Sequence, residues 1–346
     1  MILPLLVFAT QTVARGTVQA AQCGRCHARE SATIGDSPMS HASERPADSP
    51  FLKDNPELTF HIGKFTYSVK QQGARSVYSV TDGTNTLSAP IGWAIGKGIV
   101  GQTYLVEMGS LLYEGAVSYY PGPKALDLTP GHAELPRNTL EEAFGRKLDS
   151  SQAKLCFGCH ATDIVWKGGA HPESWTPGVQ CSQCHSKASQ HATALTAGTN
   201  RQPVKMQHLG SVSPEDLSIV CSKCHPSWAD VAAKGPQGVL NVRMQFYRLT
   251  NSRCYDSADR RISCTACHDP HGKLSNDSAH YESRCNECHS PEAIAQHKAP
   301  VAAKKCPVAS ANCVSCHMPK VEIPGLHYQF TDHDIRIVKK GDAYPN

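Results

Sequence analysis

The sequence predicts a mainly α and irregular fold with little regular structure, into which a small antiparallel β module is inserted after the first 50 residues. Three observations carry this. The pattern Cys-x-x-Cys-His occurs seven times, as CGRCH (23–27), CFGCH (156–160), CSQCH (181–185), CSKCH (221–225), CTACH (264–268), CNECH (285–289) and CVSCH (313–317), and uses fourteen of the sixteen cysteines. Aromatic residues are only 7% of the 346 and charged residues 18%, so large apolar side chains are too few for a rich protein core. Between residues 51 and 120 the pattern changes to apolar–polar alternation with turn signals.

Each motif has the spacing of covalent haem c attachment, with two thiols for the porphyrin vinyl groups and an adjacent His as proximal iron ligand. Zinc ribbons, thioredoxin-like redox pairs and disulfides are the competing readings. With 18 His in 346 residues, His occupies a given position about one time in twenty, so seven chance placements have odds of roughly one in a billion. The expected cofactors are therefore seven haem c groups, and the fold is that of a multihaem cytochrome c. Haem-binding cysteines are Cys23, Cys26, Cys156, Cys159, Cys181, Cys184, Cys221, Cys224, Cys264, Cys267, Cys285, Cys288, Cys313 and Cys316. Proximal ligands are His27, His160, His185, His225, His268, His289 and His317. The 162 residues from Cys156 to His317 leave about 27 per haem, room for short helices and loops around stacked porphyrins.

The four expected parts are a signal peptide (1–20), a first haem segment (21–50), an antiparallel β insert (51–135) and a hexahaem domain (136–346). The apolar run Ile2–Ala9, followed by Val18-Gln19-Ala20, reads as a secretory signal without the usual positive start. Covalent haem attachment, which takes place outside the cytoplasm, independently implies a periplasmic or extracellular location. No other stretch is long and apolar enough to span a bilayer. The formal charge is +4, but seven ferric porphyrins and fourteen ionised propionates bring it to roughly −3 oxidised and −10 reduced. Many of the 34 Lys and Arg should pair with propionates. No Lys/Arg run exceeds two residues, which disfavours a nucleic-acid partner.

In the β insert, Phe65, Tyr67 and Val69 alternate, Asp82-Gly83 marks a turn, and Gly109-Ser110 joins 104–108 to 111–120 as a two-residue hairpin. Gly92, Gly96, Gly98 and Gly101 suggest tight turns or close backbone approach, and no Gly-Lys-Ser/Thr follows that would make a phosphate loop. The insert reads as a docking or haem-shielding element. Thr139–Leu148 has apolar residues at helical spacing leading into the second motif. Ser213-Pro214 and Ser290-Pro291 are helix starts.

Low-spin electron-transfer haems need a sixth ligand, and eleven histidines remain. His41, His132, His171, His191, His271, His297 and His333 are the favoured distal ligands, with His61, His208, His280 and His327 in reserve. His191 and His271 lie so near their own motifs that each is expected to reach a neighbouring haem. Cys254 and Cys306 fall outside every motif and are expected to form a disulfide, a free thiol being the rival. Arg253, Arg260 and Arg261 beside the fifth motif read as propionate partners, with a substrate-anion site as the alternative.

The C-terminal stretch, with Cys-His-Met-Pro-Lys at 316–320 and Thr-Asp-His at 331–333, resembles the final haem segment of the superfamily containing pentahaem nitrite reductase and octahaem hydroxylamine oxidoreductase. The resemblance implies a distal role for His333. CGRCH followed by SPMSHA is similar to the tetrahaem cytochromes of hydroxylamine oxidation, which implies an axial role for His41, and CSQCH followed by His191 fits the same pattern. The likeness covers about the first 50 and last 200 residues. No Cys-x-x-Cys-Lys motif is present, and no Tyr can be assigned to the cross-link that marks the active haem of hydroxylamine oxidoreductase. The expected function is therefore electron relay through bis-His haems, between a quinol-linked or periplasmic donor and a terminal acceptor protein. The alternatives are an oxidoreductase acting on a small nitrogen or sulfur oxyanion at one five-coordinate haem, and a conducting filament subunit.

Overall fold

The computed structural model describes residues 21–164, 175–196, 204–296, 304–339 and 341–345. The expected signal peptide (1–20), His171 and His297 lie outside them. The dominant element is a large antiparallel sheet of nine strands, nearly closed into a barrel, which corrects the expectation of a mainly α chain with a small β module. Seven strands form a meander in sequence order: β2 (Glu57–Ile62), β3 (Phe65–Gln72), β4 (Arg75–Thr81), β5 (Thr86–Ile95), β6 (Gln102–Met108), β7 (Leu111–Tyr120) and β8 (Ala125–Leu128). β2 comes round to lie beside β8. Two short strands from the flanks complete the sheet. β1 (Ser43–Glu44) pairs with the end of β5, and β9 (Gly145–Leu148) pairs with the start of β7.

The hairpins follow from the local sequence. Met108 pairs with Leu111 across Gly109-Ser110, and Gly109 takes a left-handed φ of 61° that only glycine adopts freely. The turn from β4 to β5 is closed by Asp82, whose Oδ1 accepts the N–H groups of Thr84 and Asn85. Alternation sends Phe65, Tyr67 and Val69 inward with Tyr78, Val80, Tyr104, Val106 and Val117, and this cluster is the barrel core. The intervening residues Trp93 and Leu105 point out of the opposite face. There they pack with Leu148, Ala153, Phe157, Ala161 and Trp175, a second core that joins the barrel to the second Cys-x-x-Cys-His motif. Phe157 is the first x residue of CFGCH, and its ring stands 4.9 Å from Trp93 and 4.5 Å from Trp175.

Outside the sheet the chain is short helices and turns. They are α1 (Ala28–Thr33), α2 (Pro50–Asp54), α3 (Leu140–Phe144), α4 (Ser150–His160), α5 (Cys181–Cys184), α6 (Ala188–Thr196), α7 (Pro214–Cys221), α8 (Trp228–Lys234), α9 (Gln245–Thr250), α10 (Cys264–Cys267), α11 (Ser278–His289), α12 (Pro291–Ala295) and α13 (Cys313–His317). Two small ladders, β10 (Ala161–Thr162) with β11 (Thr176–Pro177) and β12 (Lys320–Glu322) with β13 (Gln329–Thr331), tie loops together. The expected helix starts are capped: Ser213 accepts from the Asp216 N–H and Ser290 from the Ala293 N–H.

The apolar run 139–148 is not one helix. Thr139 and Glu142 form a capping box that starts α3, but the helix stops at Gly145, whose φ is 146°. There the chain turns into β9, and a Cβ on Gly145 would lie 2.1 Å from the Glu114 carbonyl oxygen. A Gly145→Ala substitution is therefore expected to cost about 1–3 kcal/mol through the strained backbone and the clash with β7. Far-UV circular dichroism of the holoprotein on heating checks this; an unchanged melting temperature would contradict it.

Candidate haem-binding site

Every Cys-x-x-Cys-His motif ends in a turn of helix. In four of them the His N–H donates to the carbonyl of the first Cys, at 2.8 Å (His27, His225) or 2.9 Å (His185, His268). The other three close α4, α11 and α13. Residues i, i+3 and i+4 share one face of a helix, so both thiols and the imidazole of each motif are presented together. No disulfide joins any of the sixteen cysteines. Sγ of Cys159 lies 3.7 Å from the Lys223 carbonyl oxygen, and Sγ of Cys224 lies 4.0 Å from the Gly158 carbonyl oxygen. The fourth motif therefore touches the second.

The imidazoles are prepared as metal ligands in two ways. Burial holds His160, His185 and His268 below the usual imidazole range, in the neutral form that has a lone pair to give. The tautomer is also set in several cases. Nδ1 of His160 bonds the Ala42 carbonyl at 2.7 Å, and Nδ1 of His317 bonds the Arg336 carbonyl at 2.8 Å. A proton on Nδ1 leaves the lone pair on Nε2, the arrangement second-sphere carbonyls impose on metal-binding histidines. His160 is further fixed through its own carbonyl, which accepts from the Ser43 hydroxyl and from the Gly178 N–H at 3.1 Å.

The distal candidates divide. His271 faces His185 with ring centroids 6.2 Å apart and planes 6° apart, and His333 faces His268 at 6.2 Å and 48°. Two imidazoles bound end-on to opposite sides of one metal, with metal–nitrogen bonds of about 2 Å, have centroids roughly 6 Å apart. The residues thus fit haem iron held between each pair. Nδ1 of His333 bonds the Thr331 carbonyl at 3.0 Å, and burial pushes this imidazole down to about 4. Nδ1 of His191 bonds the Val204 carbonyl at 3.1 Å, again leaving Nε2 its lone pair.

His41 and His132 are engaged differently. Nε2 of His41 lies 2.7 Å from the Gly35 carbonyl, and its Nδ1 lies 2.7 Å from Glu44. His132 is buried, with Nε2 2.9 Å from Glu114, which also accepts from Arg146 at 2.6 Å. Among the reserves, Nε2 of His327 contacts Asp127 at 2.7 Å and Nδ1 of His61 contacts Thr66 at 2.8 Å, both against the sheet.

The expected Cys254–Cys306 disulfide is absent. Cys254 is half-buried near Cys288, while Cys306 sits exposed in a local turn where the N–H groups of Ala309 and Val308 hold its thiol below the usual range. Arg261 spends its guanidinium on Asp259 at 2.6 Å, and Arg260 donates to the Gly210 carbonyl at 3.3 Å. Sequence reasoning missed Arg248, which is fully buried and forms a fork with Asp332 beside His333. Its only sequence signal is the crowding of Asp332, Asp334 and Arg336 around that histidine.

A helical Cys-x-x-Cys-His turn repeated seven times, with imidazoles from different segments facing one another at iron-spanning distance, defines a multihaem c-type cytochrome. The comparisons with known proteins agree. The family of cytochrome c554 and c-prime matches residues 132–186, which contain the second and third motifs. Multiheme cytochrome MtrA of Shewanella baltica (strain OS185) is 28% identical over 204 residues, covering 47% of this chain. The chain spans 59% of the length of that relative. The crystal structure of the outer cell wall cytochrome OcwA shares the fold with a TM-score of 0.52 at 13% identity, over 92% of this chain and 79% of that one. No helix among the described residues is long and apolar enough to cross a membrane.

The Glu114 carboxylate that holds His132 gives a pH signature. Burial pushes this carboxyl up, but the His132 hydrogen bond and Arg146 outweigh it and hold it below the usual range. A depressed carboxyl stabilises the fold above its unfolded value of about 4.3 and loses that contribution as pH falls through the lower folded value. Glu114→Gln is expected to cost about 1–3 kcal/mol at pH 7, with the difference from wild type shrinking below about pH 4. Denaturation curves at pH 7 and pH 3.5 measure it; an equal difference at both would refute the assignment.

Proposed function

We propose that the chain is an exported seven-haem cytochrome that relays electrons between redox proteins, a quinol-linked or periplasmic donor on one side and a terminal acceptor on the other. The observation that carries the reading is the pair of facing imidazoles, His185 with His271 and His268 with His333, each with centroids 6.2 Å apart. When bound, haem c supplies the ferric–ferrous couple. The chain's own part is to fix it at both thiols of each motif and to offer Nε2 from two sides. His268 and His271, three residues apart in CHDPH, serve different partners, so one loop holds two haem sites in a fixed relation. Bis-His ligation lacks the potential-raising thioether of methionine, which favours low potentials spread by burial and hydrogen bonding.

The likeness to a protein titled outer cell wall cytochrome and the covalent attachment chemistry support a location outside the cytoplasm. Kinship with the superfamily of nitrite reductase and hydroxylamine oxidoreductase rests on the Cys-His-Met-Pro-Lys and Thr-Asp-His stretches. Of the five expected distal ligands among the described residues, His191 and His333 hold Nδ1 on a carbonyl and leave Nε2 its lone pair, and His271 faces His185.

Intact mass of the holoprotein is expected to show seven covalent haems, and low-temperature paramagnetic resonance of the oxidised form only low-spin signals. His271→Ala should convert one haem to high spin with the haem count unchanged. A strong high-spin signal in the wild type, or a low-spin His271→Ala variant, would sink the reading.

A further inference from the structure

Arg248 is fully buried on α9, a location where an unpaired guanidinium is prohibitive. Its charge is matched by two carboxylates. Nε donates to Asp332 Oδ1 at 2.9 Å and one terminal nitrogen to Asp332 Oδ2 at 3.0 Å, a planar fork, while the same terminal nitrogen reaches Asp334 Oδ2 at 3.3 Å. The other terminal nitrogen donates to the Pro345 carbonyl at 3.1 Å. Arg336 adds a second cation on Asp332 at 2.5 Å.

The two aspartates flank His333 directly. Because Asp332 and Asp334 reach one guanidinium, both face α9, and the intervening His333 turns the opposite way, toward His268. The backbone is clamped from the same side. Ser252, just beyond the end of α9, donates to the His333 carbonyl at 3.1 Å and accepts from the Ile335 N–H at 2.8 Å. One helix and its exit turn therefore hold residues 332 to 335 at five points, while the His333 ring lies on the other face with Nδ1 on the Thr331 carbonyl.

We propose that Arg248 is a positioning residue that presents His333 to the iron bound by His268. The proposal rests on the reading of His268 and His333 as one axial pair. Lysine keeps the charge but offers a single point donor, so it cannot span both carboxylates in the fork geometry.

The test compares three holoproteins, wild type, Arg248→Lys and His333→Ala, by haem count (intact mass) and spin state (low-temperature paramagnetic resonance). Arg248→Lys is expected to keep the wild-type haem count and to move part of one haem's low-spin signal to high spin, restored by added free imidazole. His333→Ala should show the same change in full. A wild-type spectrum for Arg248→Lys beside a high-spin His333→Ala overturns the role of Arg248 and leaves the axial pair standing. A low-spin His333→Ala overturns the pair itself. Should Arg248→Lys load fewer haems, Asp332→Asn, which weakens the same fork, decides. High spin with full haem content and imidazole rescue supports positioning; haem loss in both variants, or an unchanged spectrum for Asp332→Asn, overturns it.

Discussion

The hydrogen bond from a histidine Nδ1–H to a main-chain carbonyl is the interaction on which the haem-binding architecture depends. It recurs at His160, His191, His317 and His333, and at each it fixes both the tautomer and the ring orientation. In His160 and His317 the carbonyl comes from a different segment, Ala42 and Arg336, so the bond also closes the tertiary structure. A chain poor in aromatic residues cannot rely on a broad core to hold such rings. Directional bonds to backbone do that work instead, and at His160 and His333 burial also holds the imidazole below its usual range.

The barrel contributes through its outer face. Trp93 and Leu105 alternate with the inward Ala94, Tyr104 and Val106, so the same strands that close one core build a second against Phe157. Phe157 lies inside the second haem motif, and β9 leads into the helix that bears it. The first haem segment joins this assembly through β1, since Ser43 pairs with Ile95 and also bonds the His160 carbonyl. The sheet is thus a wall of the haem-binding region as well as a domain with its own interior.

Much of this was legible in the chain. Strict motif spacing displayed the seven helical Cys-x-x-Cys-His turns, and local turn chemistry displayed the Gly109-Ser110 hairpin, the Asp82-Gly83 turn and the Ser213 and Ser290 caps. The extent of the sheet was not legible, because β1 and β9 are two and four residues long and owe their conformation to the strands they pair with. Gly145 broke an otherwise helical pattern for a reason set by the distant Glu114 carbonyl. Arg248 gave no signal beyond the crowding of charges around His333, because a buried charge is defined by partners 84 and 86 residues away. The Cys254–Cys306 pairing came from counting leftover thiols, and geometry sends one toward Cys288 and the other into its own turn.

The contact between the second and fourth motifs bears on how their occupants move. Sγ of Cys159 lies 3.7 Å from the Lys223 carbonyl oxygen and Sγ of Cys224 lies 4.0 Å from that of Gly158, so two turns more than sixty residues apart in the chain are held edge to edge. Groups fastened to such turns are carried as one body, and the spacing between them is set by the polypeptide.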